Sequence, residues 1–583
     1  MSYRNLLCIS LLLLVLLIPG CASSPPVTIS VNPSSATLFS TQSVQLTATD
    51  SRGNSDVVWS VPGASGATVD ATGNFTAPSV TQITTINVTA TSHDDSSKFS
   101  TAAVMVLPPG QVTATTNPQV ALYTLNLPSG TSAFIEFSTD TSYSLKTWTQ
   151  PAPTTGPLTF FVAGMLASTQ YHMRAVLPGA NGSALNDLDH TFTTQAVPAA
   201  QIPPVTATTT AGMTPQPGVE ILNLLLGPAG SSQLAAFDLS GNMVWSIPPI
   251  QGATIEAPHL LPNGDFLIGA TPGDVEEIDL TGKVIRQENL VALQTWLTNQ
   301  GINLTAFQFH HDVIALPNGH WIALFNANQP CSAIPNCSGL GTILGDALVD
   351  LAPQADGSFQ PVWYWSTFDH LDINRAPQGY PDWTHSNAIV YSADDGNLLL
   401  SIRHQSWVIK IDYENGKGTG DILWHLGYQG EFNLVGGTDP YDWFFMQHGP
   451  SFTTTNTTGQ FGLAVFDNGD DRPGGSAQSN CFNPTCVFSR GVTLQIDETA
   501  NPKTATIITD YRPSEYSFWG GNAEQLANGN LESDFNTGSP TGFSDIIEAT
   551  SGASPQLVWR LQTSNAHAYR GFRLPSLYPG VQW

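Results

Sequence analysis

The sequence predicts an all-β protein: two N-terminal β-sandwich domains followed by a six-bladed β-propeller. Three observations lead there. Short runs that alternate apolar and polar residues, punctuated by Gly, Ser, Asn and Pro, fill residues 26–107 and 110–197. From 205 to 583 a phrase of the form apolar-Asp-x-x-Gly-x-apolar-Trp recurs, most fully at Phe237–Trp245. Tight Asn-Gly and Asp-Gly turns recur in the same stretch, and each marks a β-hairpin because a type I′ turn needs positive φ at both central residues.

Composition agrees and narrows the function. A chain of 583 residues has room for roughly three to five domains. Its 51 Gly, 42 Pro and 41% hydrophobic residues argue against long helical bundles and against disorder. Eighteen Lys and Arg against 45 Asp and Glu give a net charge of −27, which excludes nucleic acid as a partner, since phosphate binding needs clustered cations.

At the amino terminus, Arg4, the apolar run Leu6–Ile18 and then Ile18-Pro19-Gly20-Cys21 read as an export signal, and the run is short for a membrane span. Residues 1–20 resemble a bacterial lipoprotein signal. That resemblance implies lipidation of Cys21 and attachment to the membrane of the bacterial cell envelope, on its periplasmic or surface face. Cys8 and Cys21 aside, four cysteines remain in two close pairs, Cys331/Cys337 and Cys481/Cys486. Three connectivities are open, but short loops close at least entropic cost in an oxidising compartment, so two local disulfides are expected. Neither pair has zinc-finger spacing, and no metal site is expected.

The elements follow in order. Val27-Ile29-Val31, Val44-Leu46, the run around Trp59 and Ile86-Val88 read as strands of an immunoglobulin-type sandwich over 26–107. In 110–197, Phe134–Phe137 reads as a strand, and Leu166 to Arg174 looks like the tyrosine corner of a fibronectin type III sandwich, with Tyr171 at the corner. Val197–Pro217, rich in Pro and Thr, reads as a linker. The repeated phrase then appears at Phe237-Asp238, Ile278-Asp279, Val349-Asp350 to Trp363, Ile411-Asp412 to Trp424, Ile496-Asp497, and Ile547-Glu548 to Trp559. Six copies mean six blades in residues 205–583, a region expected to fold and act without the sandwiches.

Inner strands of a propeller converge on one channel, so histidines just ahead of the hairpins can meet. His259, His310-His311-Asp312, His385-Ser386-Asn387, Arg403-His404 and Gln447-His448 occupy such positions. Aligning Ala388-Ile389 with Val313-Ile314 places His385 opposite His310 and Asn387 opposite Asp312.

Taken as an ordered set, Phe309-His-His-Asp312, Asp382-Trp-Thr-His-Ser-Asn387, Ser401-Ile-Arg-His-Gln405, Ile422 to Gly427, Gln447-His448, Phe466-Asp-Asn-Gly469 and Tyr569 to Tyr578 resemble the bacterial arylsulfate sulfotransferases. The likeness spans most of 205–583. It implies an exported six-bladed propeller enzyme that uses no nucleotide sulfate donor and no cofactor, with small aryl sulfates and phenols as substrates. It further implies that His448 is the nucleophile, forming a sulfohistidine, with His385, Arg403 and one of His310 or His311 around it. Either member of the doublet can face the site, so both stay candidates. Whether the chain forms a homodimer is left open.

The chemistry of these residue types agrees. A sulfuryl group carries negative charge throughout transfer, and Arg403 offers a planar multi-donor fork for it. A neutral imidazole can attack sulfur, while a neighbouring imidazolium protonates the departing phenolate and then serves as base for the acceptor, which predicts ping-pong kinetics. Trp383, Trp443 and Phe445, with Phe444 and Trp519, are candidates to hold aryl rings, with a place in the blade core as the other reading of each. Two other readings stay open on sequence alone: an adhesion or carbohydrate-binding propeller without catalysis, and a hydrolase that delivers the sulfuryl group to water.

Overall fold

The computed structural model describes residues 27–583 except 180–181, 227–230, 252–253, 271–272, 332–340, 474–486 and 537–542. The stretch read as an export signal, with Cys21, and Cys337, Cys481 and Cys486 therefore lie outside the described residues. The fold is all-β. Among the described residues the α-helices are Leu290–Asn299 and the short Thr367–His370.

The described residues up to Pro109 form one compact unit. Thr84–Ser92 and Phe99–Leu107 pair antiparallel at its centre, flanked by Val57–Ser60 and, in parallel, by Ser35–Phe39. Every second residue of these strands points inward, so Ile86, Val88, Ala90, Val104 and Val106 share one core with Leu46 and Phe75.

Gly110–Trp583 is the second unit. It begins with Ala121–Leu125, which pairs with Gln111–Ala114 and Leu158–Val162, and with Ser132–Ser138, which pairs with Gln170–Pro178. Tyr171 Oη accepts the Leu166 N–H at 3.0 Å, the bond a tyrosine corner makes. No free linker follows. Val205–Thr209, inside the stretch expected to be one, pairs with Leu557–Thr563, because its alternating residues complete an exposed sheet edge. Val120 and Ala163 share a core with Trp245, Phe266, Leu577 and Tyr578. Asn117 Nδ2 donates to Ser246 O at 2.7 Å, and Tyr578 Oη accepts the Ala163 N–H at 2.7 Å.

Six sheets, antiparallel but for one added strand, make up the rest. The first contains Val219–Leu226, Ser231–Phe237 and Met243–Ser246, and the C-terminal strand Ala566–Leu574 pairs with its leading edge. The leading strands of the next five are Ile255–Leu260, Thr305–Ala315, Ser386–Ser392, His448–Phe452 and Ala523–Gln525. Each packs on the next, and Ala566–Leu574 touches Ile255–Leu260 and, in the sixth sheet, Leu531–Asn536. Both ends of the six-sheet region are thus built into sheets: Val205–Thr209 edges the sixth, and Ala566–Leu574 leads the first.

The repeated phrase has a physical reason. In Phe237-Asp238-x-x-Gly241, Asp238 Oδ1 accepts the N–H groups of Ser240 and Asn242, both at 2.9 Å, and closes the turn. The tryptophan then donates its indole N–H to the next sheet: Trp245 to Leu280 O at 2.8 Å, Trp365 to Gly420 O at 2.9 Å and Trp559 to Leu239 O at 2.9 Å. In the third sheet that residue is Trp365, where the sequence pointed to Trp363. Trp363 stands opposite Asp350 in the ladder and packs against Tyr413 instead.

Candidate active site

Four leading strands break register at corresponding places: between Glu256 and His259, Phe309 and Val313, Ser386 and Ala388, and His448 and Ser451. A bulge leaves residues out of the ladder and re-aims their side chains. In or just ahead of these breaks the backbone turns left-handed, with φ of 61° at His311, 50° at His385 and 55° at Met446. Such conformations cost non-glycine residues about 1–3 kcal/mol each and persist only where the surroundings over-determine them. Part of that restraint comes from polar straps between neighbouring strands. Asp312 Oδ2 accepts the Ile389 N–H at 2.9 Å, Asn387 Nδ2 donates to Gln447 O at 2.7 Å, and Asn522 Nδ2 donates to Gly571 O at 2.7 Å.

His448, at the start of its strand, is buried. The residue after it must be glycine: Gly449 has φ of 43°, and a Cβ there would stand 2.5 Å from that of Asn522. His448 Nδ1 lies 2.7 Å from Asn468 Oδ1, while Asn468 Nδ2 donates to Ser517 O and Gly520 O at 2.9 and 3.2 Å. The amide nitrogen is thereby committed, so Oδ1 accepts, Nδ1 carries the proton, and Nε2 keeps its lone pair. Burial first, then the charge of Arg403, holds the imidazole well below its ordinary range. The Asn468 bond opposes this, and His385 and Arg570 add to it.

His310 and His311 take different roles. His310 is buried, with Nε2 3.1 Å from Asp346 Oδ1, and Asp346 is itself held by Thr384 Oγ1 at 2.5 Å and the Ser386 N–H at 2.6 Å. The His311 ring meets His385 at 5.1 Å and Tyr569 at 5.4 Å between centroids. His311 thus joins the cluster and His310 backs it through their Nδ1–Nδ1 contact. The alignment of His385 with His310 misses this because the two bulges differ by one residue, placing His311 and His385 in the matching left-handed position. Burial and then the neighbouring His310, His385 and His448 keep His311 well below the ordinary imidazole range.

His385 Nδ1 lies 2.5 Å from Asp382 Oδ2. Arg403 follows the strand Asn397–Ile402, and its Nη2 donates to Asp470 Oδ2 at 3.1 Å and Phe518 O at 3.0 Å. Nη1 donates to His404 Nε2 at 2.9 Å, and His404 Nδ1 lies 2.7 Å from Asp382 O. Arg403 Nε is buried with no hydrogen-bond partner among the described residues. Donor atoms of Asp382, His385 and His404 come within 4.8 Å of one another. With Arg403 on one nitrogen and a backbone carbonyl on the other, His404 has no lone pair to spare, so the trio reads as a hydrogen-bonded frame and not a metal centre. Asp470, raised to about 6 by burial against its bonds to Tyr516 and Arg403, closes the far side.

Two residues of the site were quoted in the sequence only as part of a terminal motif. The Tyr569 ring stands T-shaped to His448 at 6.0 Å and stacks on Trp519 at 6.3 Å, and its buried hydroxyl faces Arg570 and has no acceptor among the described residues. Arg570 donates to Asn387 O, and its Nη1 lies 3.6 Å from Asp312 Oδ2. Both arrive because the last strand leads the first sheet, a pairing no local pattern announces. Asn468, likewise quoted only within a motif, has no sequence signal for its role.

The aromatic expectations are corrected. Trp383 is fully buried, donates to Arg375 O at 2.8 Å and packs on Phe368. Trp443 and Phe445 lie in a core with Phe461 and Leu463. The rings brought to His448 are Tyr569 and, through it, Trp519. A cavity of about 460 Å³ lies beyond Arg570 and Asp312, lined by Ile314, Ile389, Phe452 and Phe572, and none of His311, His385, Arg403 or His448 lines it. Cys331 is disulfide-bonded.

No curated protein matches the chain. Among solved structures, the major Malassezia sympodialis allergen Mala s 1 is 10% identical, with 61% of this chain and 92% of that one covered at a TM-score of 0.32. A putative 6-phosphogluconolactonase from Bacteroides uniformis is 10% identical over 73% of this chain and 96% of that one, with a TM-score of 0.31. BamB from Moraxella catarrhalis is 12% identical over 69% and 96%, at 0.24. Scores this low carry no argument. The family model described as Arylsulfotransferase (ASST) matches residues 208–570, a span that contains His311, His385, Arg403, His448, Asn468 and Tyr569. The chain belongs to the arylsulfotransferase family and is an aryl-sulfate sulfotransferase.

Proposed function

We propose that the six sheets are the blades of a six-bladed propeller, and that at its centre His448 takes a sulfuryl group from an aryl sulfate and passes it to a phenol. The Nε2 lone pair of His448 attacks sulfur, the bond from sulfur to the aryl oxygen breaks, and His385 Nε2–H protonates the departing phenolate. A phenol then attacks the sulfohistidine, the S–N bond breaks, and the phenolic proton returns to His385. One observation carries the reading. Beside a buried, neutral imidazole whose Nδ1 proton is held by Asn468 lie two buried donors without an acceptor among the described residues, Arg403 Nε and the O–H of Tyr569, whose oxygen faces Arg570. A buried polar group left unpaired costs about 1–3 kcal/mol. Sulfuryl oxygens would satisfy both donors and gain charge stabilisation where it develops.

The test is incubation with a chromogenic aryl sulfate, with and without a phenol, followed by rapid quenching and peptide mass spectrometry. A new aryl sulfate and a sulfuryl adduct on His448 are expected; release of inorganic sulfate alone would make the protein a hydrolase. In the same reading the enzyme is exported and lipid-anchored through Cys21, the two sandwiches precede the propeller, and Cys331/Cys337 and Cys481/Cys486 are local disulfides.

A further inference from the structure

The sulfuryl-transfer reading uses Arg403 and His385 and leaves His404 idle, although His404 stands between their partners. We propose that His404 is a spacer that keeps Arg403 and Asp382 from pairing, so that the carboxylate serves His385 and the guanidinium serves the sulfuryl group. The inference rests on the reading above and assigns His404 and Asp382 as positioning residues.

The backbone brings the two segments side by side: the Arg403 N–H donates to His385 O at 3.2 Å and the His404 N–H to Thr384 O at 3.0 Å. An arginine and a half-exposed aspartate on adjacent segments would ordinarily form a bidentate pair, whose planar geometry suits both. The His404 ring prevents this by binding both segments. Arginine can only donate, so Nε2 accepts from Arg403 Nη1 at 2.9 Å. The proton therefore sits on Nδ1 and goes to the backbone O of Asp382 at 2.7 Å, not to its carboxylate, whose Oδ1 lies 4.0 Å away. The ring also stacks on His385 at 4.7 Å and 29°, fixing the plane of that imidazole. Burial first, and His385 next, hold His404 below the ordinary imidazole value, in keeping with a neutral ring.

Asp382 is thus left to His385 Nδ1, at 2.5 Å. As sulfur leaves the aryl oxygen, the bonding pair stays on that oxygen and takes the His385 Nε2 proton, with Asp382 a carboxylate throughout. In the second half-reaction the acceptor hydroxyl returns a proton to the same nitrogen. Removing His404 frees Nη1 to capture Asp382, which both withdraws the carboxylate from His385 and turns the fork away from the sulfuryl group.

The experiment compares two donors: 4-nitrophenyl sulfate, whose leaving group departs with little help, and phenyl sulfate, whose leaving group needs the proton. Lost proton delivery costs the second far more, because general acid catalysis is worth about 10²–10⁴ in rate. His404→Ala and Asp382→Asn are each expected to slow phenyl sulfate by about 10²-fold more than 4-nitrophenyl sulfate. His404→Gln, whose amide can accept from Arg403 and donate to Asp382 O, should recover most of that difference and decides the matter if the alanine variant does not fold. Equal losses on both donors in His404→Ala, or a glutamine variant that folds and discriminates as poorly as alanine, would overturn the spacer role. If the wild type makes no aryl sulfate from either donor, it is the underlying reading that fails.

Discussion

Asn468 holds the Nδ1 proton of His448: the two atoms are 2.7 Å apart, and the Asn468 amide nitrogen is spent on Ser517 O and Gly520 O. The amide cannot turn over without losing both carbonyls, so it dictates the imidazole tautomer. Asn468→Ala is expected to lower the rate of His448 sulfurylation by about 10²-fold with donor KM little changed, because binding persists while the lone pair is no longer held at Nε2. Single-turnover kinetics with 4-nitrophenyl sulfate measure this. A wild-type burst rate would remove Asn468 from the mechanism.

The depressed pKa of His448 fixes a pH dependence. Burial and the Arg403 charge favour the neutral ring, so in the folded enzyme His448 takes up a proton only well below the ordinary imidazole value of about 6.5. The sulfurylation burst should stay flat as pH falls from neutrality to about 6. Stability shows the opposite side of the same linkage. The unfolded chain protonates His448 and His311 at about 6.5 and the folded one does not, so stability is full above that pH and declines as pH falls toward the lower folded values. Thermal transitions across this window check the slope; a burst limb centred near 6.5 and assigned to His448 by mutation contradicts the first part.

Arg403→Lys keeps the charge and loses the fork. Lysine cannot reach His404, Asp470 and Phe518 O at once while leaving a donor over for substrate. Transfer should drop by about 10²–10³-fold, the usual effect of removing one preorganised donor. The far-ultraviolet circular dichroism should be unchanged.

Arg573 bears on stability, away from the chemistry. Its guanidinium meets Glu220, Glu532 and Glu548 at 2.7, 3.1 and 3.3 Å, and its N–H donates to Glu524 at 3.1 Å. One cation cannot neutralise this group, so protons must. Burial raises Glu524 to about 7 and Glu532 well above the carboxylate range. Raised values mean that stability is full below the unfolded carboxylate value of about 4.3 and is lost as pH rises through 7. Glu532→Gln should therefore flatten the alkaline decline in melting temperature, whereas Arg573→Met should destabilise by about 3–5 kcal/mol by leaving buried carboxylates unpaired. A steeper alkaline decline in the glutamine variant would refute the assignment.

The folding unit is expected to be 110–583 and not 205–583. Val120 and Ala163 complete the core around Trp245 and Tyr578, and Trp583 Nε1 donates to Lys146 O at 2.9 Å. A 205–583 fragment exposes that surface and should melt lower or aggregate, while 110–583 should match the full chain in melting temperature and activity. Equal behaviour of the two fragments would restore the independence that the sequence suggested.

Much of the site could be read from the chain because its signals are local. Alternation marks strands, an aspartate three residues before the turn glycine closes that turn, and a tryptophan with an indole N–H needs an acceptor on the neighbouring sheet. The turn recurs from sheet to sheet and the tryptophan in four of the six, so the sequence by itself determined the all-β class and the repeat. It also marked His310, His311, His385, Arg403 and His448 as candidates for one site. Tertiary structure decided what depends on bulges and on remote pairing. A bulge shifts side-chain direction without changing the hydrophobic pattern, so which member of the His310-His311 doublet faces His385 was settled only by backbone geometry. Burial, a property of the packed molecule, turned Trp383, Trp443 and Phe445 from ring-holding candidates into core residues. Tyr569 and Arg570 reach His448 because the last strand pairs with the first sheet across more than three hundred residues of chain, as Ile221 beside Phe572 shows. Such a pairing is chosen by the free edge that the rest of the fold leaves open, which no segment carries within itself.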